Sequence, residues 1–416
     1  MGNEIGAPDI TQESARRVLA FTDEVVEGYP GRVAGSESAR KAGERVKQEF
    51  EKYCDPGTVA GEEFAVHPKS FLKYIPGLVI VYFVCMILLY YGFPWIAFAG
   101  MAIALLVFVG QFGLYWHLLD PLFPKATGYN VCGRIEPEGE VKRQIIVSGH
   151  HDAAYSFQIL AHLPKLYFPL MIIGVLLLVV STLLSLVAAI LSIFGIVLSQ
   201  WVALAFLILG IFEIPYLFFT TDRVVPGAGD NMIAVAIAAE IGKLFGDSKK
   251  AGRNLLKHTR LIILSVDAEE AGLRGARAYV KRHKDELLKT KTYVLNMDTI
   301  YHLKNLNFFS YDLNSTVRLS PQMAAECVEV ARSLGYNAIV SRMSPGGGAT
   351  DAAAFGEAGI EATNLSAMSF EVKDYDQGWV YHTPNDTSKY IEPAAVEASL
   401  KIVRDYVIRK DRAAAV

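Results

Sequence analysis

Several features that define other protein classes are absent from this 416-residue sequence. Its four cysteines form no CxxC pair, which argues against a zinc-thiolate site and a disulfide framework and favours a reducing compartment. The 40 Lys and Arg residues are offset by 43 Asp and Glu residues, so no nucleic-acid partner is expected. The polar amino-terminal segment lacks the apolar core of a signal peptide. A secreted disulfide-rich protein and a nucleic-acid-binding protein are therefore both disfavoured.

Charge is missing from two long stretches. No Asp, Glu, Lys or Arg occurs from Ile75 to Trp116, and Glu213 is the only one from Leu166 to Phe219. A membrane-spanning helix needs about 20 apolar residues, so each stretch predicts a hairpin of two spans. The predicted spans lie near residues 75–91, 95–116, 166–189 and 199–219. Glu213 is close to the polar flank, which favours an interfacial position, and core helices of a soluble domain are the disfavoured alternative.

The two hairpins divide the chain into segments. The predicted domains are a hydrophilic domain of residues 1–70, 121–164 and 222–416, a first transmembrane hairpin of residues 71–120 and a second of residues 165–221. Each hairpin returns the chain to the side from which it left, so the hydrophilic domain lies on one side of the bilayer. The hairpin turns carry no Lys or Arg, whereas the opposite flanks carry Lys69, Lys73, Lys125, Lys165 and Arg223. The positive-inside bias therefore predicts a multi-pass cell-membrane protein whose hydrophilic domain is cytoplasmic.

Outside the hairpins, apolar strands alternate with amphipathic helices. The clearest strands are "RQIIVSGHHD", "TRLIILSVDAEE" and "TYVLNMD", and the clearest helices are "DNMIAVAIAAEIGKLF", residues 271–288 and the segment from Pro393 to about Arg409. This alternation predicts an α/β fold with a mostly parallel mixed sheet sandwiched by helices. In such sheets, functional groups gather at the carboxyl ends of the strands.

Acids and histidines occur repeatedly at those strand ends and in neighbouring loops. In chain order they are His150, Asp152, Asp230, Glu269, Glu270, Asp298 and His382. Singly, each is ordinary: a His-X-Asp pair is more often a capped loop, and two acids often begin a solvated helix. Together they supply imidazole and carboxylate ligands without cysteine, a set that suits two zinc-like ions sharing a carboxylate.

Five ordered motifs carry a resemblance to a known family. The motifs "GHHDA", "PGAGDN", "AEEAGLRGA", "NMD" and "YHTPNDT", with "GRVAGS" at residues 31–36, resemble the family-28 di-zinc metallopeptidases, which include aminopeptidases and glutamate carboxypeptidases. The resemblance covers nearly all of the chain outside the hairpins. It implies that two Zn²⁺ ions are bound, one by His150 and Asp298 and the other by Glu270 and His382, with Asp230 bridging them.

The resemblance also implies catalytic roles for three further residues. Glu269 would be the general base and acid, which takes a proton from a zinc-activated water and delivers it to the leaving amine. Asp152 would hydrogen-bond to His150 and fix its ring. The hydroxyl of Tyr381 would help to polarise the scissile carbonyl. His151 is not expected to be a ligand, because the His-X-Asp spacing selects its neighbour.

The sequence departs from the family pattern in two places. The glycine-rich segment "GGGATDAAAF" keeps Asp351, but no histidine follows it, where the family commonly has Ser-Asp-His. About eighty residues separate His150 from Asp230, where the family usually has little more than a dozen, and the second hairpin fills this gap. The insertion suggests two alternatives: the enzyme trims peptides that are membrane-bound or arrive along the bilayer, or the hairpin is only an anchor.

The predicted function is a membrane-bound zinc exopeptidase, with aminopeptidase favoured over carboxypeptidase. A glutaminyl cyclase on the same fold and a non-catalytic membrane receptor remain alternatives, although a receptor would tend to lose ligands that are all present here. A related di-zinc family with a lid domain is disfavoured, because too few residues separate Asp298 from His382. A transporter is disfavoured because the spans lack paired charges. The expected partners are a peptide substrate and the lipid bilayer, and the sequence leaves the oligomeric state open.

Overall fold

A computed structural model of the chain describes residues 8–369 and 379–414. They form two compact units. The larger unit comprises the residues up to Pro68, Lys125–Ala154 and the residues from Arg223 onward, and the smaller unit comprises Lys69–Pro124 and Tyr155–Asp222. Residues 155–164, which the sequence analysis assigns to the hydrophilic domain, belong to the smaller unit because their short helix packs on the long apolar helix that follows.

The larger unit is built on a mixed β-sheet. In chain order the strands of the described residues are β1 (Ala60–Val66), β2 (Ala126–Ile135), β3 (Arg143–His150), β4 (Tyr155–Phe157), β5 (Thr220–Val224), β6 (Thr259–Val266), β7 (Lys291–Ile300), β8 (Asn307–Phe309), β9 (Tyr311–Asp312), β10 (Val317–Arg318), β11 (Ile339–Ser341) and β12 (Glu361–Ala367). Eight of these described strands form the sheet, in the order β1-β2-β6-β3-β7-β12-β8-β11. The central strands β6, β3, β7 and β12 are mutually parallel, whereas β1, β2 and β8 each have an antiparallel neighbour.

Helices cover both faces of this sheet. In chain order the described α-helices are α1 (Gln12–Gly28), α2 (Glu37–Glu51), α3 (Ile75–Tyr90), α4 (Pro94–Phe108), α5 (Gln158–His162), α6 (Pro164–Ile193), α7 (Gln200–Leu209), α8 (Ile233–Lys250), α9 (Arg274–Lys289), α10 (Pro321–Ser333), α11 (Ala352–Glu357) and α12 (Pro393–Arg412). Successive side chains of a strand point to opposite faces. On β6, Ile262 and Leu264 pack in one core cluster with residues of α9 and α11, whereas Ile263 approaches Gly242 of α8.

The predicted fold class is confirmed in the larger unit, which is an α/β fold with a mostly parallel mixed sheet between helices. Strands β3, β6 and β7 are almost entirely buried, as expected for strands covered on both faces. One local detail differs from the prediction. The helix predicted from Asp230 begins at Ile233, because the backbone of Asp230 (φ −127°, ψ 82°) and of Asn231 (φ −148°, ψ 26°) is not helical.

The smaller unit is helical and apolar. It contains α3 to α7, with a π-helical turn at Val109–Gly113 and a 3₁₀ segment at Gly210–Phe218. Among the described residues, three helical segments are long and apolar enough to cross a membrane: Pro94–Gly113, Pro164–Ile193 and Gln200–Phe218. Helix α3 is equally apolar in character, but its 16 residues make it shorter than a usual span.

Candidate metal centre

The predicted ligands converge at one edge of the sheet in the larger unit. His150 is the last residue of β3, Glu269 and Glu270 follow β6, and Asp298 lies near the end of β7. These strands are parallel neighbours, so their carboxyl ends meet. Asp230 comes from the kinked turn Ala228–Met232 before α8, and His382 comes from the loop before α12.

Asp230 lies between the two imidazoles. Its Oδ1 atom is 3.3 Å from Nε2 of His150, and its Oδ2 atom is 3.0 Å from Nε2 of His382. The same Nε2 atom of His382 is 3.2 Å from Oε1 of Glu270. On the other side, Nε2 of His150 is 3.8 Å from Oδ2 of Asp298. The donors thus fall into two groups that share the Asp230 carboxylate.

Glu269 faces the same space and belongs to neither group. Its Oε2 atom is 3.8 Å from Nε2 of His150, and the residue is 9% exposed. A carboxylate that is almost buried but faces the donor cluster is in position to exchange a proton with a molecule bound there.

Asp152, in the motif "GHHDA", contacts His150 of the same motif and the acidic pair of "AEEAGLRGA". Its Oδ1 atom lies 3.3 Å from Nδ1 of His150, a contact that orients the ring with Nε2 toward the cluster. The two carboxylate oxygens also accept hydrogen bonds from the backbone N–H groups of Glu269 (3.2 Å) and Glu270 (3.1 Å). One buried side chain therefore positions both a histidine and the acidic pair.

His151 and Tyr381 are sequence neighbours of the two candidate histidine ligands, and their surroundings differ. The Nδ1 atom of His151 is 2.7 Å from the hydroxyl of Ser265, and burial lowers the pKa of His151 to about 4. This ring is therefore a neutral, hydrogen-bonded core group. Tyr381 stacks on His382, with ring centroids 3.9 Å apart, and burial beside the carboxylates raises its pKa well above 10. The Tyr381 hydroxyl therefore keeps its proton and can donate a hydrogen bond.

The cluster carries more negative charge than its histidines offset. Burial raises the pKa of Glu269 and of Asp298 well above the ordinary carboxyl range, and neighbouring acids raise both further. Burial also raises the pKa of Glu270. In Asp230, burial opposes ionisation, but contacts with His150 and the second imidazole hold the net pKa below its ordinary value. A site of this kind is stabilised by added positive charge.

The donor atoms fit a metal ion. One ligand atom each from His150, Asp230 and Glu270 lies within 4.8 Å of the other two, so these residues could hold a metal ion. Among the described residues, Nε2 of His150, Oδ2 of Asp230 and Oε1 of Glu270 are buried without a hydrogen-bond partner. Buried polar atoms are normally satisfied, and imidazole nitrogens with carboxylate oxygens are the ligands that zinc accepts.

Backbone strain also concentrates in the ligand-bearing loops. Ala268 precedes the acidic pair with φ 64°, Thr299 follows Asp298 with φ 58°, and His382 itself has φ 52°. Left-handed backbone is costly for residues other than glycine, about 1–3 kcal/mol each, and it often marks functional sites. The fold therefore holds these three loops in conformations that their sequences do not favour.

Two residues that support the site carry no predicted role in the sequence analysis. Arg32, in "GRVAGS", is fully buried and donates hydrogen bonds to the carbonyls of His151, Pro226 and Gly227. Asp386, in "YHTPNDT", accepts hydrogen bonds from the backbone N–H groups of Gly229 and Asp230. A charged residue inside an otherwise loop-like motif is the signal that could have identified each of them.

Asp351 is a further buried acid that interacts electrostatically with the candidate ligands. Asp351 is fully buried, and neither of its carboxylate oxygens has a hydrogen-bond partner among the described residues. Burial raises its pKa to about 8. The preceding residue, Thr350, donates its hydroxyl proton to Asp312, whereas Asp351 interacts electrostatically with His150 and Glu270.

This chain is similar in sequence to a peptidase family and in fold to several solved structures. The sequence profile of peptidase family M28 matches residues 216–407, and no match is found among curated proteins. A Zn-dependent exopeptidase from Parabacteroides distasonis has 14% identity and a TM-score of 0.55, covering 96% of this chain and 99% of that chain. A leucine aminopeptidase precursor from Bacteroides thetaiotaomicron has 13% identity and a TM-score of 0.56, covering 97% and 98%.

A glutaminyl cyclase from Fimbriiglobus ruber is similar to the same extent, with 12% identity, a TM-score of 0.56 and coverage of 97% of this chain and 96% of that chain. At these identities the likeness of the solved structures establishes the fold alone. The fold is therefore similar to that of these three solved structures, and residues 216–407 match the sequence profile of peptidase family M28.

Proposed function

We propose that this chain is a zinc-dependent exopeptidase that removes amino-terminal residues from peptides. The observation that carries the proposal is the position of Asp230, which offers one carboxylate oxygen to His150 and the other to His382. A carboxylate shared in this way suits two ions a short distance apart. His150 and Asp298 would hold one Zn²⁺, Glu270 and His382 would hold the other, and Asp230 would contact both.

The proposed chemistry divides between the metal and the protein. Bound zinc supplies Lewis acidity, which polarises a carbonyl and brings the pKa of water to about 7. The Glu269 carboxylate takes the proton from the attacking water and delivers it to the amide nitrogen of the leaving group, so that it begins and ends the cycle ionised. The Tyr381 hydroxyl, which keeps its proton, donates a hydrogen bond to the carbonyl oxygen as negative charge develops there.

Replacement of Glu269 tests the catalytic proposal. Glu269→Gln keeps the size of the side chain but cannot accept a proton, so we expect kcat to fall roughly hundred- to ten-thousand-fold. Zinc content should stay unchanged because Glu269 is not a proposed ligand. The matched control is Glu329→Gln on the exposed face of α10, which should retain full activity. Undiminished hydrolysis by Glu269→Gln would remove the proposed base.

The type of exopeptidase is tested with blocked substrates. An aminopeptidase cleaves peptides with a free amino terminus and a blocked carboxyl terminus, and it leaves amino-acetylated peptides intact. The opposite preference would identify a carboxypeptidase. The similarity to an aminopeptidase structure supports the first outcome.

Glutaminyl cyclase activity is the second candidate. It is supported by the compact three-donor group of His150, Asp230 and Glu270, which suits a single ion, and by the matching cyclase fold. A peptide that begins with glutamine distinguishes the two activities. A cyclase returns the same peptide lighter by one ammonia, whereas an aminopeptidase releases free glutamine.

We also propose that the smaller unit embeds the protein in a lipid bilayer, with the larger unit in the cytoplasm. Besides the three long apolar segments, its helices leave many large apolar side chains exposed, among them Ile80, Ile103, Ile172, Leu183 and Ile208. Exposed apolar surface of this extent is unusual on a soluble protein and suits contact with lipid. The basic flanks of the hairpins support the cytoplasmic side.

The site of insertion suggests a membrane-associated substrate. The chain leaves the larger unit at Ala154, two residues after Asp152, and re-enters it at Arg223, shortly before Asp230. Within the larger unit, the N–H group of Val225 donates to the carbonyl of Ala154 at 3.0 Å, so a short loop can replace residues 155–222. If the helices deliver substrate, this variant should cleave soluble dipeptides but lose activity on hydrophobic peptides in vesicles. Equal retention of both activities would leave the helices as an anchor.

A further inference from the structure

The smaller unit contains a cavity of about 60 Å³ that the proposed catalytic reaction does not use. It is lined from α3, from α4 and its π-helical turn, from α6 and from the 3₁₀ segment Gly210–Phe218 with the residue after it. Within the part of the chain that the structure describes, Glu213 is the only charged residue in the lining, and the others are aliphatic, aromatic, methionine or glycine. The cavity is therefore an apolar space with a single carboxyl group.

Two polar atoms in the lining of this cavity lack hydrogen-bond partners. Glu213 is 8% exposed and Tyr216 is 7% exposed, and neither Oε1 of Glu213 nor the hydroxyl of Tyr216 has a hydrogen-bond partner among the described residues. The third polar group, the hydroxyl of Tyr82, already donates to the carbonyl of Phe206 at 2.7 Å. An acceptor and a hydroxyl are thus left in an apolar lining that contains no Lys, Arg or His among its described residues.

An unpaired carboxylate in such surroundings is costly, and a buried charge is normally compensated by a partner. The missing partner is a positively charged hydrogen-bond donor, and the apolar lining selects an apolar body to carry it. We propose that this cavity binds a primary ammonium group on a short linear apolar chain, with the ammonium held by Glu213 and Tyr216.

The size of the cavity restricts the ligand. An engineered apolar cavity of about 150 Å³ accommodates benzene, and this one is less than half as large, so a linear chain fits better than a ring. Gly174 of α6 contributes to this shape, because a Cβ atom there would lie 2.8 Å from the ring of Tyr216. The tail of the ligand would lie between α3 and α6, along Leu78 and Leu178.

Photolabelling of the full-length protein in lipid nanodiscs tests this proposal. The probe is hexylamine with a diazirine on its tail, and labelled residues are identified by mass spectrometry. We expect labels in Ile75–Tyr82, in Met171–Leu178 and in Glu213–Phe219, and competition by excess hexylamine. Hexanol and hexanoate share the tail but lack the ammonium group, so neither should compete.

Two variants separate recognition by charge from simple partition into an apolar space. Glu213→Gln keeps the shape of the side chain and should reduce specific labelling at least about tenfold, whereas Tyr216→Phe should reduce it less. The control is Asp222→Asn, which removes an exposed carboxylate of the same unit and should change nothing. Equal labelling of Glu213→Gln and the unmodified protein, or equal competition by hexanol and hexylamine, would overturn the proposal. Because the readout is labelling, its result is independent of peptidase activity.

Discussion

At the scale of single residues, backbone hydrogen bonds to buried carboxylates position the candidate ligands. Asp386 accepts hydrogen bonds from the N–H groups of Gly229 (2.8 Å) and Asp230 (3.2 Å) and from the hydroxyl of Tyr301 (2.9 Å). Tyr301 packs so closely on this turn that a Cβ atom on Gly229 would lie 2.0 Å from its ring. The turn that carries Asp230 is therefore held from two sides.

Loss of the Asp386 charge should weaken metal binding without removing a ligand. Asp386→Asn replaces one acceptor oxygen by a donor that would face the N–H groups of Gly229 or Asp230. We expect zinc affinity to fall about 10- to 100-fold, as measured by competition with a chelator of known affinity. Asp222→Asn serves as the exposed control and should leave the affinity unchanged. If Asp386→Asn binds zinc as tightly as the unmodified protein, Asp386 does not position the turn.

At the scale of secondary structure, the sequence patterns predict the positions of strands, which depend on periodicity. They do not predict contacts that depend on backbone geometry. Strands β3, β6 and β7 lie where their apolar runs predict, because strands covered on both faces must be apolar throughout. The rule for parallel sheets then brings His150, the acidic pair and Asp298 to one edge. The contacts of Arg32 and Asp386 do not follow from periodicity, because both residues bind main-chain groups of distant segments. Their charge inside loop-like motifs is the only local signal of a role at the site.

In the apolar segments, the sequence pattern likewise predicts where helices lie but not where the helix type changes. Their composition predicts four helices, and the structure has α3, α4, α6 and α7 at those places. Composition does not predict that α7 ends at Leu209 and continues as a 3₁₀ segment through Phe218. Pro215 lies inside that segment, and proline destabilises an α-helix interior because it cannot donate a backbone hydrogen bond. Glu213 and Tyr216 lie in this 3₁₀ segment and line the cavity. The hydropathy pattern does not indicate that position.

The contact between α9 and β6 offers a test at this scale. A Cβ atom on Gly275 would lie 1.9 Å from the backbone carbonyl oxygen of Asp267, and a backbone atom cannot move aside as a side chain can. Gly275→Ala should therefore destabilise the protein by about 3 kcal/mol, seen as a lower thermal unfolding temperature. Gly28→Ala is the matched control, because nothing lies within 4 Å of its Cβ position. An unchanged melting temperature for Gly275→Ala would contradict this packing.

At the scale of the whole molecule, the α/β unit that carries the candidate metal centre is interrupted twice in the sequence by segments of the apolar helical unit. The orientation in the membrane is tested by single cysteines in whole cells, since all four described native cysteines are buried. Ser199, before α7, is exposed at a hairpin turn, and Ser344 is exposed on the larger unit. Ser199→Cys should react with a membrane-impermeant maleimide in intact cells, whereas Ser344→Cys should react only after permeabilisation. The reverse pattern would place the larger unit outside the cytoplasm.

The central claim is that five side chains from separate parts of the chain bind two metal ions. Its most direct test is anomalous scattering at the zinc absorption edge from crystals of the zinc-loaded full-length protein. We predict two peaks, one contacted by His150 and Asp298 and the other by Glu270 and His382, with Asp230 touching both. Crystals that diffract well but show no peak among these side chains, or only one, would contradict the two-metal site.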